Sequence, residues 1–175
     1  MTNHGPFVPA TTGLLAVASK RAALVAISDH QRSTAVGLHV ETVIHHGLDL
    51  ARFPVGDGNG GYVLFLGRMS ADKGVDRAIV AARAAGRRLV IAAKMWEADE
   101  RRYFAGVVEP MLGDDAVFVG QVGGSAKLEL LGGAACLLNP IRWPEPFGLV
   151  MIEALACGTP VVTFPEGAAP EIVDE

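Results

Sequence analysis

The sequence predicts an α/β protein built on a parallel sheet with helices on both faces. From residue 62 onward, short apolar runs alternate with longer stretches of helical periodicity, which is typical of repeated strand–helix–strand units. The apolar runs are continuous and lack interleaved polar residues, as expected for strands that are buried on both faces. Half of the 175 residues are hydrophobic and 19% are charged, so the chain can supply the core that such a sheet needs.

The predicted elements follow one another in a regular order. Residues 22–28 and 41–45 are expected to form short strands, and residues 51–61, rich in Gly, Pro and Asp, to form a linker. Beyond it, the expected strands are 62–67, 88–93, 116–120, 134–138 and 160–164. The expected helices are 72–85, 97–111, 124–132 and 147–157. Arg68, Gln121 and Asn139 follow predicted strands, at the edge where parallel sheets bind ligands.

Composition and charge exclude several classes of protein. The net charge is −4, whereas nonspecific nucleic-acid binding needs a basic surface. No apolar run reaches the roughly 18 residues of a membrane span, and the first four residues lack the positive charge that begins a secretory signal. Cys136 and Cys157 lie in apolar surroundings, which is typical of buried free thiols in intracellular proteins. The sequence therefore predicts a cytoplasmic protein.

Of two common nucleotide-binding motifs, one occurs in the wrong structural context and the other does not occur. Residues 56–61 match G-x-G-x-x-G literally, but this motif must follow a strand and open a helix, and here it precedes a strand. A flexible linker is the better interpretation. No G-x-x-x-x-G-K-[ST] P-loop occurs either, so neither NAD binding nor ATP hydrolysis is favoured. His30, His45 and His46 have no metal-ligand spacing, and no metal site is predicted.

The most informative segment runs from Glu145 to Glu153 and contains two carboxylates eight positions apart. Pro146 is well placed to open a helix, and Gly148 lets a ligand approach the backbone. Helix N-termini hold phosphates, and eight helical residues rise about 12 Å, comparable with an extended nucleotide-sugar. Glu153 lies in a helix that is apolar all round, so we expect it to be buried and to need partners, which ribose hydroxyls would supply.

Arg68 and Lys73 form a second candidate group at a strand-to-helix junction. A guanidinium and an ammonium suit phosphate oxygens, and fixed cations stabilise a diphosphate leaving group as its bond breaks. A metal ion would then be unnecessary. The alternative is structural: Arg68 pairs with Asp72, and Lys73 is solvated at the start of a helix. Trp143 has a similar pair of interpretations, since it either stacks on a sugar or packs its loop.

Several segments occur together in a recognisable order. They are Ile44-His-His-Gly-Leu-Asp49, Tyr62 to Gly74 with its Gly-Arg…Lys-Gly pattern, Phe118-Val-Gly120, Glu145 to Glu153, and Pro170-Glu-Ile-Val173. Together they resemble the retaining glycosyltransferases of family 4, the group 1 glycosyltransferases. The resemblance implies the GT-B fold of two Rossmann-like domains. It assigns residues 1–50 to a remnant of the N-terminal acceptor domain, 51–61 to the interdomain linker, and 62–175 to the donor nucleotide-sugar-binding domain.

The resemblance also implies roles for individual residues. It assigns Glu145 to the transferred sugar and Glu153 to the donor ribose, with Gly67, Arg68 and Lys73 in the phosphate-binding segment. The backbone N–H groups of Gly148 and Leu149 would contact the diphosphate, and Val119, Gly120 and Val122 would lie near the nucleobase. His4 is similar to a Thr-x-His histidine of the N-terminal domain that faces the reaction cleft, which makes it a second candidate catalytic residue.

The expected function is retaining, metal-independent transfer of a sugar from a nucleotide-diphosphate donor, such as a UDP- or GDP-sugar, to an unknown acceptor. The chain is shorter than the family's two domains, so we expect the donor-binding half to be inactive alone. One alternative is a non-catalytic nucleotide-sugar-binding module. Another is a phosphorylase-like or epimerase-like enzyme on the same architecture, although no segment resembles a pyridoxal-binding lysine.

Overall fold

The computed structural model describes residues 1–174 and forms two compact units. The first unit comprises residues 1–47 and 144–149 together with the chain from Pro165 onward. The second comprises residues 48–143 and 150–164. The domain boundaries expected at residues 50 and 61 stay a prediction. No helix within the described residues is long and apolar enough to cross a membrane.

The first unit contains a small parallel sheet. Its strands are β1 (Val25–Ala26) and β2 (Thr42–Val43), and its helices are α1 (Pro9–Ala18) and α2 (Asp29–Ser33). Both strands fall inside the predicted segments but are only two residues long. Neither helix was predicted. Helix α1 buries none of its residues, so it lacks the apolar stripe by which a helix is recognised in sequence.

The second unit contains a five-stranded, fully parallel sheet in the order β5-β4-β3-β6-β7. Every predicted strand beyond residue 61 is present, with shifts of up to three residues at its ends. The predicted parallel sheet is therefore confirmed. The bounds are β3 Val63–Arg68, β4 Leu89–Lys94, β5 Ala116–Gly120, β6 Leu137–Asn139 and β7 Val161–Thr163.

Helices cover both faces of this sheet because successive strand residues point to opposite sides. The helices are α3 (Val75–Ala84), α4 (Ala98–Tyr103), α5 (Gly124–Gly133) and α6 (Leu149–Ala156). On one face Phe65 and Ile91 pack in a cluster that includes Ile79 of α3. On the other face Leu64 packs in a cluster that includes Leu131 of α5. The strands are apolar at successive positions because each face of the sheet packs against its own layer of core residues.

Two predicted helices are interrupted in the structure. The helix expected at 72–85 is a 3₁₀ turn, Ala71–Lys73, followed by α3, and the break lies at Gly74, whose φ is 75°. The helix expected at 97–111 is α4, then a π turn (Phe104–Val108), then a 3₁₀ turn (Glu109–Met111). Hydrogen-bond spacing changes within each run without a change in apolar periodicity, so the sequence pattern does not reveal the breaks.

Helix α6 corrects the sequence prediction in two respects. It begins at Leu149, so Gly148, with φ 99°, precedes the first turn and Pro146 does not open the helix. The helix is also not buried all round: only Met151 and Ala154 are buried, whereas the side of α6 that carries Leu155 is exposed. Apolar composition alone therefore overestimated the burial of this helix.

The glycine-rich segment 56–61 precedes β3, as predicted, but it is hydrogen-bonded rather than free of contacts. The N–H groups of Gly58 and Gly60 donate to carbonyls at the end of α5, over 3.0 and 2.8 Å. A Cβ at Gly56 would lie 2.0 Å from the Gly132 carbonyl oxygen. The glycines thus allow backbone to lie against backbone, and the expectation that this segment is a linker stays a prediction.

Candidate functional site

The strand order of the second unit reverses direction at its centre. Strands β3, β4 and β5 follow one another towards one edge, whereas β6 and β7 lie on the other side of β3. In open parallel sheets the crevice outside the carboxyl ends of the strands at such a switch point is the usual ligand site. Here these ends are Arg68 of β3 and Asn139 of β6. Two of the three residues that the sequence placed at the binding edge therefore flank the switch point.

The loops that follow β3 and β6 are joined by Arg142. Its backbone N–H donates to the Asp72 carbonyl over 2.7 Å, and its guanidinium donates to the Ala71 carbonyl over 3.0 Å. The same guanidinium makes two hydrogen bonds of 2.7 Å to the Asp76 carboxylate at the start of α3. Sequence analysis did not identify this residue, since no motif marks an arginine whose partners are two backbone carbonyls and a carboxylate about 70 residues earlier.

The two cations predicted for phosphate binding lie in and beside these loops. Arg68 is half-exposed, and its Nε lies 3.6 Å from Glu100 Oε1. The alternative in which Arg68 pairs with Asp72 is therefore wrong. The Lys73 ammonium lies 4.9 Å from the centre of the Trp143 ring, a cation–π contact. Trp143 thus packs against the lysine of its neighbouring loop.

Ser70 adds a polar group to the loop after β3. Its hydroxyl oxygen is buried and has no hydrogen-bond partner among residues 1–174. Buried polar groups are nearly always paired in folded proteins, so an orphan hydroxyl marks a place where a ligand or water would satisfy it. Gly67, in contrast, is an ordinary member of β3 paired with Ala93.

The Glu153 carboxylate projects from α6 in the second unit and already has a protein partner. It accepts a hydrogen bond of 2.7 Å from the Lys127 ammonium of α5, and both side chains are largely buried. We expected Glu153 to need partners, and Lys127 is one of them. The sequence did not reveal this lysine as a partner. A carboxylate accepts up to four hydrogen bonds, so the pairing leaves acceptor capacity for hydroxyl groups.

The residues predicted near the nucleobase lie at the carboxyl end of β5. Val119 is exposed, and Gly120 is the last residue of the strand, with φ 80°. Val122 packs against the apolar cluster that contains Leu64. Beside them, Trp96 donates its indole N–H to Gln121 over 2.8 Å.

The remaining predicted residues belong to the first unit. The His4 ring stacks on His46 with centroids 5.2 Å apart, and His46 meets the buried Phe147 edge-on at 4.9 Å. Burial, and then the neighbouring His4, lower the pKa of His46. Glu145 is half-buried, and its carbonyl accepts from the Ala168 N–H over 2.9 Å. Gly148 and Leu149 follow Phe147 directly.

One group of side chains in the first unit has the composition of a metal site. Ligand atoms of Asp29, His45 and Glu171 lie within 4.8 Å of one another. However, the Glu171 carboxylate accepts from the N–H groups of Asp29 and His30 at the start of α2, and from His45. Burial opposes ionisation of Glu171, but these donors lower its pKa. The arrangement is that of a carboxylate capping a helix, and helix N-termini repel cations.

Because of the Asp76–Arg142 pair, the free energy of unfolding should depend on pH in the acidic range. The Arg142 hydrogen bonds lower the Asp76 pKa from 3.8 to about 2, with a smaller contribution from the Tyr103 hydroxyl, although burial opposes the shift. Burial and the bond to Asp76 raise the pKa of Tyr103 to about 12. Since the folded-state pKa of Asp76 is depressed, its stabilisation is present above pH 3.8 and is lost as the pH falls towards about 2.

We expect Asp76→Asn to lower the free energy of unfolding at pH 7 by about 2 kcal/mol. The difference from wild type should shrink between pH 4 and pH 2.5, measured by urea unfolding. Asp115→Asn is the matched control, because Asp115 pairs with Arg83 at the surface, where ion pairs contribute little. An Asp76→Asn difference that stayed constant with pH would contradict the assignment.

The chain is similar to known proteins in sequence and in fold. The family profile described as "Glycosyl transferases group 1" matches residues 51–175. Over 150 residues the chain is 34% identical to the glycogen synthase of Mycobacterium tuberculosis strain H37Rv, covering 78% of this chain and 34% of that protein.

Two solved structures illustrate the similarity in fold. AviGT4, a glycosyltransferase involved in avilamycin A biosynthesis, is 33% identical with a TM-score of 0.76, covering 86% of this chain and 47% of that one. Anabaena HepE, in complex with UDP and glucose, is 20% identical with a TM-score of 0.83, covering 99% and 54%. The likeness to HepE shows the fold alone. These neighbours confirm the predicted Rossmann-like, GT-B type of fold, and the chain spans about half the length of each.

Proposed function

The chain belongs to the group 1 glycosyltransferases, and from this premise we propose that it binds the nucleotide-diphosphate-sugar donor of a glycosyl transfer reaction. The observation that carries the proposal is the switch point of the second unit. There the loop that contains Lys73 is joined to the loop after β6, and Arg68 ends the central strand. Cations at the carboxyl edge of a parallel sheet suit a diphosphate.

The proposed chemistry needs these cations most as the donor bond breaks. The bond between the sugar's anomeric carbon and the β-phosphate oxygen breaks, and the electron pair leaves with that oxygen. A hydroxyl oxygen of the acceptor bonds to the anomeric carbon, and its proton passes to the departing diphosphate oxygen. Arg68 and Lys73 stabilise the charge that grows on the departing diphosphate. We propose that two fixed cations take the place of a metal ion.

Further residues of the second unit would hold the nucleoside. We propose that Glu153 accepts from ribose hydroxyls while it remains bonded to Lys127, and that Val119, Gly120 and Val122 contact the base. The exposed Val119 and the partly exposed Glu153 are accessible to such a ligand. All of these roles are supported by the family resemblance, and the roles near the base are also supported by the carboxyl end of β5, which lies at the carboxyl edge of the sheet.

The roles that we propose for residues of the first unit are supported by the family resemblance alone. We propose that Glu145 and His4 act on the transferred sugar and that the N–H groups of Gly148 and Leu149 contact the diphosphate. A retaining outcome and membership of family 4 belong to the same proposal. Because the chain spans about half the length of AviGT4 and HepE, we propose that donor binding takes place on this chain and that full transfer needs more of the fold.

Isothermal titration calorimetry with UDP, GDP, ADP and TDP tests the proposal. We expect micromolar to millimolar binding of one nucleotide in preference to the others, unchanged when a chelator is added. UDP is the first choice because it is the nucleotide in the HepE complex. Absence of binding to all four would contradict the proposal, and binding abolished by the chelator would contradict its metal independence.

A second measurement separates a transferase from a binding module. Donor hydrolysis, followed by release of the nucleoside diphosphate, should be detectable at a low rate if the chain retains part of the catalytic site. Binding with no hydrolysis, even after long incubation, would favour a non-catalytic nucleotide-sugar-binding module.

A further inference from the structure

One buried charge beside the proposed site has no role in the function described so far. Glu100 lies in α4 and is only 5% exposed, although ionised side chains are almost never buried unless they are paired. Burial of a carboxylate costs free energy, which its partners must offset. The identity of these partners therefore indicates what the carboxylate does.

Two partners of Glu100 are backbone donors in the turn between β4 and α4. Its Oε2 accepts from the Trp96 N–H over 2.7 Å and from the Glu97 N–H over 3.1 Å. Glu97 and Glu100 together form a capping box at the start of α4. The backbone donors lower the Glu100 pKa, with burial acting in the opposite direction and Arg68 and Lys94 adding smaller contributions.

The third partner is Arg68, which approaches the other carboxylate oxygen. Its Nε lies 3.6 Å from Oε1, and about half of the arginine side chain remains exposed. A contact at Nε leaves the two terminal nitrogens of the fork available for a ligand. Arg68 also lies in register with Lys94 on the neighbouring strand, and two cations side by side on a sheet repel each other. Glu100 offsets this repulsion from a buried position in which two backbone N–H groups bind its carboxylate.

We propose that Glu100 is a positioning residue, which holds the Arg68 guanidinium at the carboxyl edge of the sheet for the nucleotide diphosphate. A backbone-anchored carboxylate restricts a long, flexible side chain before the ligand arrives, so less conformational entropy is lost on binding. The inference rests on the proposed function, because Arg68 has a ligand only if the chain binds a nucleotide diphosphate.

The test compares Glu100→Gln with Glu97→Gln. Glutamine keeps an oxygen that accepts both backbone N–H groups, so Glu100→Gln removes the charge beside Arg68 while the cap of α4 is retained. Glu97→Gln makes the same change of charge in the same capping box, at an exposed position without contact to Arg68. We expect Glu100→Gln to weaken UDP binding about tenfold, which corresponds to about 1.4 kcal/mol, and Glu97→Gln to leave it within twofold. Thermal unfolding of both variants checks that each one folds.

A double-mutant cycle shows whether the effect passes through Arg68. On an Arg68→Ala background, Glu100→Gln should no longer change UDP affinity. An equal loss on both backgrounds, no loss in the single variant, or tighter binding would each overturn the proposal.

A measurement without ligand separates this inference from the proposed function. In ¹⁵N-labelled protein, the order parameter of the Arg68 Nε should be higher in the wild type and in Glu97→Gln than in Glu100→Gln, because the ion pair with Glu100 restricts the side chain. Equal order parameters in all three would overturn the inference even if UDP binds. A wild-type chain that binds no nucleotide would overturn the proposed function and the ligand role of Arg68, whatever the order parameters are.

Discussion

Replacing Gly74 by alanine is expected to lower the free energy of unfolding by about 4 kcal/mol, the largest effect we predict on stability. Gly74 is buried and has φ 75°, a region that costs an L-residue about 1–2 kcal/mol. A Cβ there would also lie 2.1 Å from the Pro140 carbonyl oxygen. The Pro140 carbonyl belongs to the backbone of the loop after β6, so it cannot rotate away as a side chain could. Relief of the clash therefore requires the loops after β3 and β6 to separate.

Gly86→Ala provides the matched control for this prediction. Gly86 also has a positive φ, 62°, but a Cβ there meets no atom within 4 Å. It should therefore show the conformational cost alone, about 1–2 kcal/mol. Urea unfolding of both variants measures the difference. Equal losses would mean that Gly74 is needed only for its φ and that the two loops are not tightly packed.

Replacing Arg68 by alanine is expected to weaken binding of the nucleoside diphosphate by about 10- to 100-fold, the largest effect we predict on function. Hydrogen bonds to charged groups contribute about 1.5–3 kcal/mol, and each 1.4 kcal/mol corresponds to tenfold in affinity. The loss should be smaller for the nucleoside monophosphate, which lacks the second phosphate. Titration calorimetry with UDP and UMP at two salt concentrations measures both quantities.

Arg88→Ala is the control for this substitution, since it makes the same change of charge. Arg88 is exposed and directly precedes β4, at the edge of the sheet opposite to the carboxyl ends. It should leave UDP affinity unchanged. A similar loss in both variants would indicate a nonspecific effect of net charge, and the diphosphate role of Arg68 would then be wrong.

The sequence alone predicted the sheet of the second unit and the residues at the edge where we propose the site. Strand residues that are buried on both faces must be apolar, and strand ends must be followed by polar or glycine-rich turns, so both features are visible as local patterns. This is why Arg68 and Asn139 could be assigned to the binding edge before the topology was known. The family was also visible in sequence, because several short motifs occur in a recognisable order.

The details of α6 show where local patterns fail. Its composition predicted burial all round, but burial depends on which neighbours cover each side, and the side that carries Leu155 is uncovered. Helices α1 and α2 were not predicted for a related reason, because short helices without an apolar stripe show no helical periodicity in the sequence. The breaks at Gly74 and within residues 104–111 depend on hydrogen-bond spacing, which composition does not encode.

The sequence by itself determined the fold class, the family, and the cations and carboxylates that the proposed site uses. Only the tertiary structure decided how these side chains are held: Arg68 by Glu100 rather than Asp72, Lys73 by Trp143, and Glu153 by Lys127. The physical reason is distance along the chain. A motif records only residues at neighbouring positions. Partners separated by 26 to 70 residues meet only when the parallel sheet brings the helices and loops that carry them together.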